Sequence, residues 1–299
     1  MAGRLQRLFD LYSQDLERLA PALRGRFGCP ICFAAFPRSE PLREVVAEEH
    51  VVPETLGGKF TTLTCRRCNN QAGTSLEAHL VQRVLVEARR RPAKASVQIG
   101  DAVVRAEMVL PRVGDELRTI KVIGKQTDAR QLASMQRLLM AGTDEVHLHL
   151  NFGYVEQRSL VALLRAAYLL MFRTFGYRYV LDPSAIAVRE QIRHWSQQSP
   201  ILKGVVWRLE GAPFQRSTAM VMTRPTELAS FVVLLQLDTD EGHVAAVTLP
   251  APGSDGVELY DRIGALGKAS TVIATPLPET KGFLPFVRVW RAITDPEAT

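Results

Sequence analysis

The sequence has no uninterrupted apolar run long enough to cross a bilayer. Its greasiest stretch, around Leu160 to Tyr177, is broken by Arg165 and Arg173, whereas a spanning helix needs about 20 predominantly apolar residues. The first residues, Met1 to Arg7, lack the apolar core of a secretory signal. Cysteine is scarce, with 4 in 299 residues. Disulfide-dense chains are small and secreted, whereas 299 residues with 46% hydrophobic composition can bury ordinary cores unaided. No Walker loop, dinucleotide fingerprint, Ser-His-Asp pattern, repeat or low-complexity tract occurs. The expectation is a soluble globular protein of the reducing cytoplasm, with no membrane partner. At about 100 to 200 residues per domain it should hold two.

What is present is concentrated near the N-terminus. The four cysteines form two pairs, Cys29-Pro30-Ile31-Cys32 and Cys65-Arg66-Arg67-Cys68. Two such knuckles suit one tetrahedral structural zinc, because each turns tightly enough to aim two thiolates at a single ion. Between them lies Glu48-Glu49-His50-Val51-Val52-Pro53-Glu54-Thr55-Leu56-Gly57-Gly58, and the second pair runs into Asn69-Asn70-Gln71-Ala72-Gly73. Closing the knuckles should bring Glu49, His50 and Asn69 together. A carboxylate, an imidazole and an amide oxygen are the parts of a one-metal phosphodiesterase. Hard oxygens suit Mg²⁺, or Mn²⁺ in its place, and imidazole, with an ordinary pKa near 6.5, can accept a proton from water at neutral pH.

In this order, Glu49-His50-Val51-Val52-Pro53, Leu56-Gly57-Gly58, Cys65-x-x-Cys68-Asn69-Asn70-x-x-Gly73 and Leu76-Glu77, the sequence resembles the HNH endonucleases of the ββα-metal fold, in their zinc-knuckle branch. The resemblance covers roughly residues 27 to 85. It implies that Glu49 and Asn69 hold a divalent metal while His50 activates water. Two departures stand out: Glu49 occupies a position where the family usually has Asp, and the family's middle Asn is absent from the loop Lys59-Phe60-Thr61-Thr62-Leu63-Thr64. The segment from Leu163 to Asp182, with Ala166-Ala167-Tyr168 and Phe175-Gly176-Tyr177-Arg178-Tyr179, resembles sequences that follow this type of nuclease domain in bacterial proteins.

Several residues carry a second reading. Asn69 can cap the helix that starts there, and Asn70 is the fallback ligand. Glu48, read as turned to the opposite face of a strand ending at His50, is expected in solvent. Gly73 is expected to allow close backbone approach. Residues 1–95 carry 15 Lys and Arg against 10 Asp and Glu, leaving 22 against 21 for the remainder. The basic surplus therefore lies in the nuclease segment, where Lys59, Arg66 and Arg67 are candidate phosphate contacts. Arg89 to Arg91 read as favourable charge at a helix end before Pro92. His147 and His149 read as a solvent-facing alternation, His194-Trp195 as packing, and Asp238 to His243 as a hairpin turn.

Periodicity predicts an amphipathic helix through Leu5, Leu8, Tyr12, Leu16 and Leu19, able to pack on the core or to join two protomers. Short strands are expected near Val45–Glu49 and Thr61–Thr64, then a helix from Asn69 to about Arg90 with Leu76, Leu80 and Val84 inward. A hairpin at Val97–Ile99 and Val103–Leu110 follows, with strands at Leu117–Ile123 and Val146–Asn151. Helices are expected at Ala129–Met140, Gln157–Phe175 and Pro183–Gln197, and strands at Gly204–Leu209, Ser217–Thr223, Phe231–Leu237 and Val244–Thr248. The fold class is α+β. An N-terminal helix and a zinc-stabilised ββα-metal HNH domain occupy 1–95, and a mixed α+β domain with antiparallel sheet, serving recognition, assembly or regulation, occupies 96–299.

The resulting expectation is a Mg²⁺-dependent HNH endonuclease with structural zinc that hydrolyses DNA, with RNA left open, as a restriction or antiphage defence effector does. It would act as a homodimer or larger assembly, with room for a regulatory partner on the C-terminal domain. The alternative is a catalytically inactive zinc-stabilised nucleic-acid-binding or adaptor protein.

Overall fold

The computed structural model describes residues 2–39, 41–108, 129–142, 145–209, 216–237, 242–254, 256–265, 272–278 and 282–294. The expected strand at Leu117–Ile123 and the acidic turn Asp238 to Glu241 lie outside them. The described chain forms helices and antiparallel sheets, as an α+β protein should. It divides into two compact units: residues 1–77 with 157–299, and residues 78–156. The boundary expected after residue 95 therefore falls inside the second unit.

The first unit begins with α1 (Ala2–Leu19). Its Phe9, Tyr12 and Leu16 are buried, so most of the apolar stripe is taken up within the chain. Leu5, Leu8 and Leu19 of the stripe stay half-buried. Strands β1 (Arg26–Gly28) and β2 (Ala35–Pro37) pair on either side of the first knuckle. They escaped the sequence reading because three residues give too short a pattern to register. After the short turn α2 (Leu42–Val45) comes the antiparallel pair β3 (Val46–His50) and β4 (Thr61–Cys65), joined in the register His50 to Thr61 and Glu49 to Thr62. Helix α3 (Arg66–Ala72) starts directly from β4 and passes into a wide π turn over Gly73–Glu77.

The connection between β3 and β4 depends on its two glycines. Gly57 has φ of 77°, in the left-handed region that favours glycine. A Cβ on Gly58 would lie 1.7 Å from the Val52 carbonyl oxygen, so no other residue fits. Gly73, expected to serve close approach, has nothing within 4 Å of a built Cβ; its place is the start of the π turn.

The helix at the centre of this unit is α6 (Glu156–Phe175), buried around nearly its whole circumference from Val161 to Phe172. A helix apolar all round belongs in a core. On one side Tyr12 stacks on Phe172 with ring centroids 4.4 Å apart, and the Tyr168 hydroxyl donates to the Pro30 carbonyl at 2.9 Å. On the other, Phe175 packs on Phe231 and Phe286. Next come α7 (Tyr177–Val180) and α8 (Ile186–Arg193), the latter ending short of the predicted Gln197. Strands β8 (Val205–Leu209), β9 (Thr218–Arg224), β10 (Ser230–Gln236) and β11 (Val244–Leu249) form an antiparallel sheet with β12 (Ile273–Pro276) in the order β12-β9-β10-β11-β8. Helices α9 (Gly256–Ala265) and α10 (Phe286–Thr294) complete it.

The second unit contains α4 (Ala78–Glu87) and the sheet β6-β5-β7, from β5 (Ala93–Ile99), β6 (Ala102–Met108) and β7 (His147–Asn151). Helix α5 (Ala129–Met140) sets Met135 and Leu138 on the inward face of this sheet. His147 and His149 are exposed along β7, as the alternation predicts.

Candidate metal centre and nuclease site

The two knuckles meet. The four cysteine sulfurs lie within 4.8 Å of one another, and Cys32 Sγ is 3.7 Å from Cys65 Sγ. A tetrahedral zinc with bonds of about 2.3 Å spaces its sulfurs roughly 3.8 Å apart, so the donor set fits that ion. Local backbone explains the convergence. In the first knuckle the Phe33 N–H donates to the Cys29 carbonyl at 2.9 Å, with Phe33 itself at φ of 58°. In the second, the Cys68 N–H donates to Cys65 Sγ, and the Cys65 N–H to Cys29 Sγ, each at 3.4 Å. Burial pushes the Cys29 thiol up, whereas a hydrogen bond from Cys29 brings Cys65 down to about 7. Zinc takes the thiolate form, so binding it releases the protons that remain on the cluster.

The knuckles are braced from α6 and α7. Besides Tyr168 at Pro30, the Tyr177 hydroxyl accepts the Gly28 N–H at 2.9 Å and donates to the Gly28 carbonyl. Asp15 fixes that tyrosine by accepting its backbone N–H at 2.7 Å, and burial raises the Asp15 carboxyl. Gly176, at φ of 64°, leaves room for it: a Cβ there would lie 2.2 Å from Asp15 Oδ2.

His50 ends β3, half-buried, and no hydrogen bond or ion pair within the described residues holds its ring. Asn69 lies in the first turns of α3, half-buried, its side chain likewise without a partner. The cap of α3 is Cys65, not Asn69. Asn70, Lys59, Arg66 and Arg67 are exposed. Arg66 donates to the Arg43 carbonyl, and a side-chain hydrogen bond to the Cys32 sulfur, with charge attraction to it adding less, raises the Arg67 pKa.

The two acids before His50 have separate fates. Glu48 is not free in solvent: Arg4 Nε reaches it at 2.7 Å, and the same arginine donates to Thr61 Oγ1 at 2.6 Å, the residue opposite His50. Residues two apart share a strand face, so it is Glu48 that lies on the His50 side and Glu49 that turns inward. Glu49 is 3% exposed. One oxygen accepts from Thr64 Oγ1 at 2.5 Å, and the other is ion-paired with Arg165 of α6. Arg165 Nη1 also contacts Glu77 Oε1 at 3.0 Å. Burial, with Glu49 adding to it and Arg165 opposing, lifts the Glu77 carboxyl to about 7.

Sequence reasoning missed Arg165, Thr64 and Glu77 as a group. The only signal was an arginine inside an otherwise apolar helix, read there simply as an interruption. His194, expected to pack, is exposed and held to Glu190. As donors, the Glu49 carboxylate and the Asn69 amide suit Mg²⁺ in kind. A carboxylate has about four lone-pair positions, so the bonds to Thr64 and Arg165 leave acceptor capacity on Glu49.

A hairpin whose second strand feeds a helix, with four cysteines at the junction placed to hold a metal ion, defines a ββα unit. Residues 29–85 match a family model described as HNH endonuclease. That segment is therefore similar to an HNH nuclease domain, which indicates nuclease activity in general and a nucleic-acid substrate. No curated protein and no solved structure matches the chain.

Proposed function

We propose that this protein is a metal-dependent endonuclease hydrolysing DNA phosphodiester bonds. The observation that carries the proposal is the His50 imidazole, set at the end of β3 opposite Thr61 and bonded to nothing else among the described residues. In this reading His50 takes the proton from the attacking water, as a positioned imidazole does in general base catalysis. Glu49 and Asn69 would hold Mg²⁺ or Mn²⁺, which when bound supplies charge stabilisation at the phosphoryl group and leaving oxygen. The zinc cluster holds β4 to the first knuckle and so fixes where α3 starts. Exposed Lys59 and Arg66 offer sequence-independent contacts to the phosphate backbone.

The test is incubation of purified zinc-loaded protein with supercoiled plasmid, with and without Mg²⁺ or Mn²⁺, beside His50→Ala. Metal-dependent nicking or linearisation that disappears in the variant supports the reading.

A second reading, a zinc-stabilised nucleic-acid-binding protein without cleavage, draws on the Glu49 environment. Arg165 already neutralises this carboxylate in a place almost closed to solvent, and Mg²⁺ prefers to keep several waters. Salt-sensitive DNA binding with no cleavage under any divalent metal would favour it.

A further inference from the structure

A cavity of about 190 Å³ opens beside α3, lined among others by Arg67, Gln71, Ser75, Arg165, Arg193 and Trp195. Arg67, Gln71 and Ser75 recur at the four-residue spacing that defines one helix face. Asn69 lies two residues from each of the first two, roughly 200° around the helix. The cavity is thus on the side of α3 turned away from Asn69, although Arg165 in its wall also reaches Glu49. Among the described residues its lining includes three arginines, of which Arg193 is also paired with Glu190 at 2.9 Å, together with Cys32 and Cys68 and no aspartate or glutamate.

The decisive group is Arg165. It is 3% exposed, and its Nη1 holds Glu49 and Glu77, but its Nη2 is buried with no hydrogen-bond partner. An unsatisfied donor on a buried guanidinium is costly, and a bound anion would satisfy it. The Gln71 amide and the Ser75 hydroxyl also lack partners among the described residues, adding neutral donors to the same wall. The cavity is smaller than the about 300 Å³ at which drug-sized pockets begin, so a compact anion fits better than a large organic ligand. Arginine forks match phosphate oxygens in geometry as well as charge.

We propose that this cavity binds a phosphate group, seated on Arg165 with Arg193, Arg67, Gln71 and Ser75 around it. Free phosphate and the phosphate of a nucleotide share this chemistry. Trp195, half-buried at the rim and covered by Arg158 at 4.3 Å, is placed to contact the remainder of a nucleotide. The site does not depend on the nuclease reading. It does touch it at one point, because the guanidinium that would hold the phosphate also holds Glu49.

The experiment is calorimetric titration of the zinc-loaded full chain, in phosphate-free buffer of low ionic strength, with inorganic phosphate, a nucleoside 5′-monophosphate and the unphosphorylated nucleoside. One phosphate-dependent site is expected, weakened tenfold or more by Arg193→Ala and by the double change Gln71→Ala with Ser75→Ala. Both variants should keep the zinc content and melting temperature of the parent, and His50→Ala should bind like the parent. Tighter binding of the nucleotide than of phosphate identifies a nucleotide site, and equal binding a free-phosphate site. No binding of either, or binding that ignores Arg193, Gln71 and Ser75 while responding to His50, overturns the proposal.

Discussion

Arg165 and Glu49 form an ion pair in which both side chains are almost wholly withdrawn from water, 4% and 2% exposed. The pair joins α6 to the strand that carries His50. Desolvating two charges is expensive, and breaking such a pair from one side leaves the other charge buried and uncompensated.

Arg165→Met should therefore destabilise the fold by about 3 to 5 kcal/mol, read as a fall in the denaturation midpoint. Adding Glu49→Gln should restore part of that loss, because the stranded charge is gone and the amide still accepts from Thr64. A double variant no more stable than Arg165→Met would show that the arginine matters for packing alone.

Zinc removal should be felt well beyond the cluster. Metal analysis should find about one zinc per chain. Cys29→Ala or Cys68→Ala should lose it and unfold the region around β1 to β4, since metal-binding energy in such sites is folding energy. Protein that stays folded and keeps its melting temperature in excess chelator would contradict this.

His50→Ala should lower plasmid cleavage by about 10² to 10⁴-fold, with zinc content and DNA binding unchanged. Asn69→Ala should also lower cleavage, with part of the loss recovered at high Mg²⁺, because a ligand and not a base is gone. Equal rates for the parent and His50→Ala would assign the proton to another group.

Glu77 gives a pH signature. Its carboxyl is raised from about 4.5 when unfolded to about 7 when folded, so the folded state binds the proton more tightly. Its favourable contribution is complete below the unfolded value and is lost as pH rises through the folded one. Between about pH 5 and 7.5 the parent should lose up to about 3 kcal/mol relative to Glu77→Gln, measured as diverging denaturation midpoints.

A fragment of residues 1–95 should not hold a stable nuclease unit. It lacks Arg165, Tyr168 and Tyr177, which satisfy Glu49, Pro30 and Gly28. Low zinc retention and broad melting of the fragment, beside a sharp transition in the full chain, are the expected results.

Most of the local architecture could be read ahead. Cysteine spacing announced the knuckles, helical periodicity announced α1, and β-branched runs announced β8 to β11. The ββα unit followed from residues close together in sequence. What escaped depends on contacts across great sequence distance. Thr64 looks like any residue of a threonine-rich strand until Glu49 is placed against it. Arg165 sits in an apolar helix with nothing nearby in sequence to name its partners. The same limit hid the fate of Glu48, whose position opposite Arg4 depends on how α1 docks, and it misplaced the domain boundary, since α6 returns to complete what the first 77 residues begin.

The Tyr177 hydroxyl braces Gly28 across 149 residues of chain. On the ribosome, at roughly 5 to 20 residues per second, the first knuckle emerges on the order of 10 to 30 s before its brace. During that interval the nascent chain can gather zinc but cannot finish the surroundings of Glu49. A chain released early, or stalled before α6, carries the residues of the candidate site without the structure that sets them.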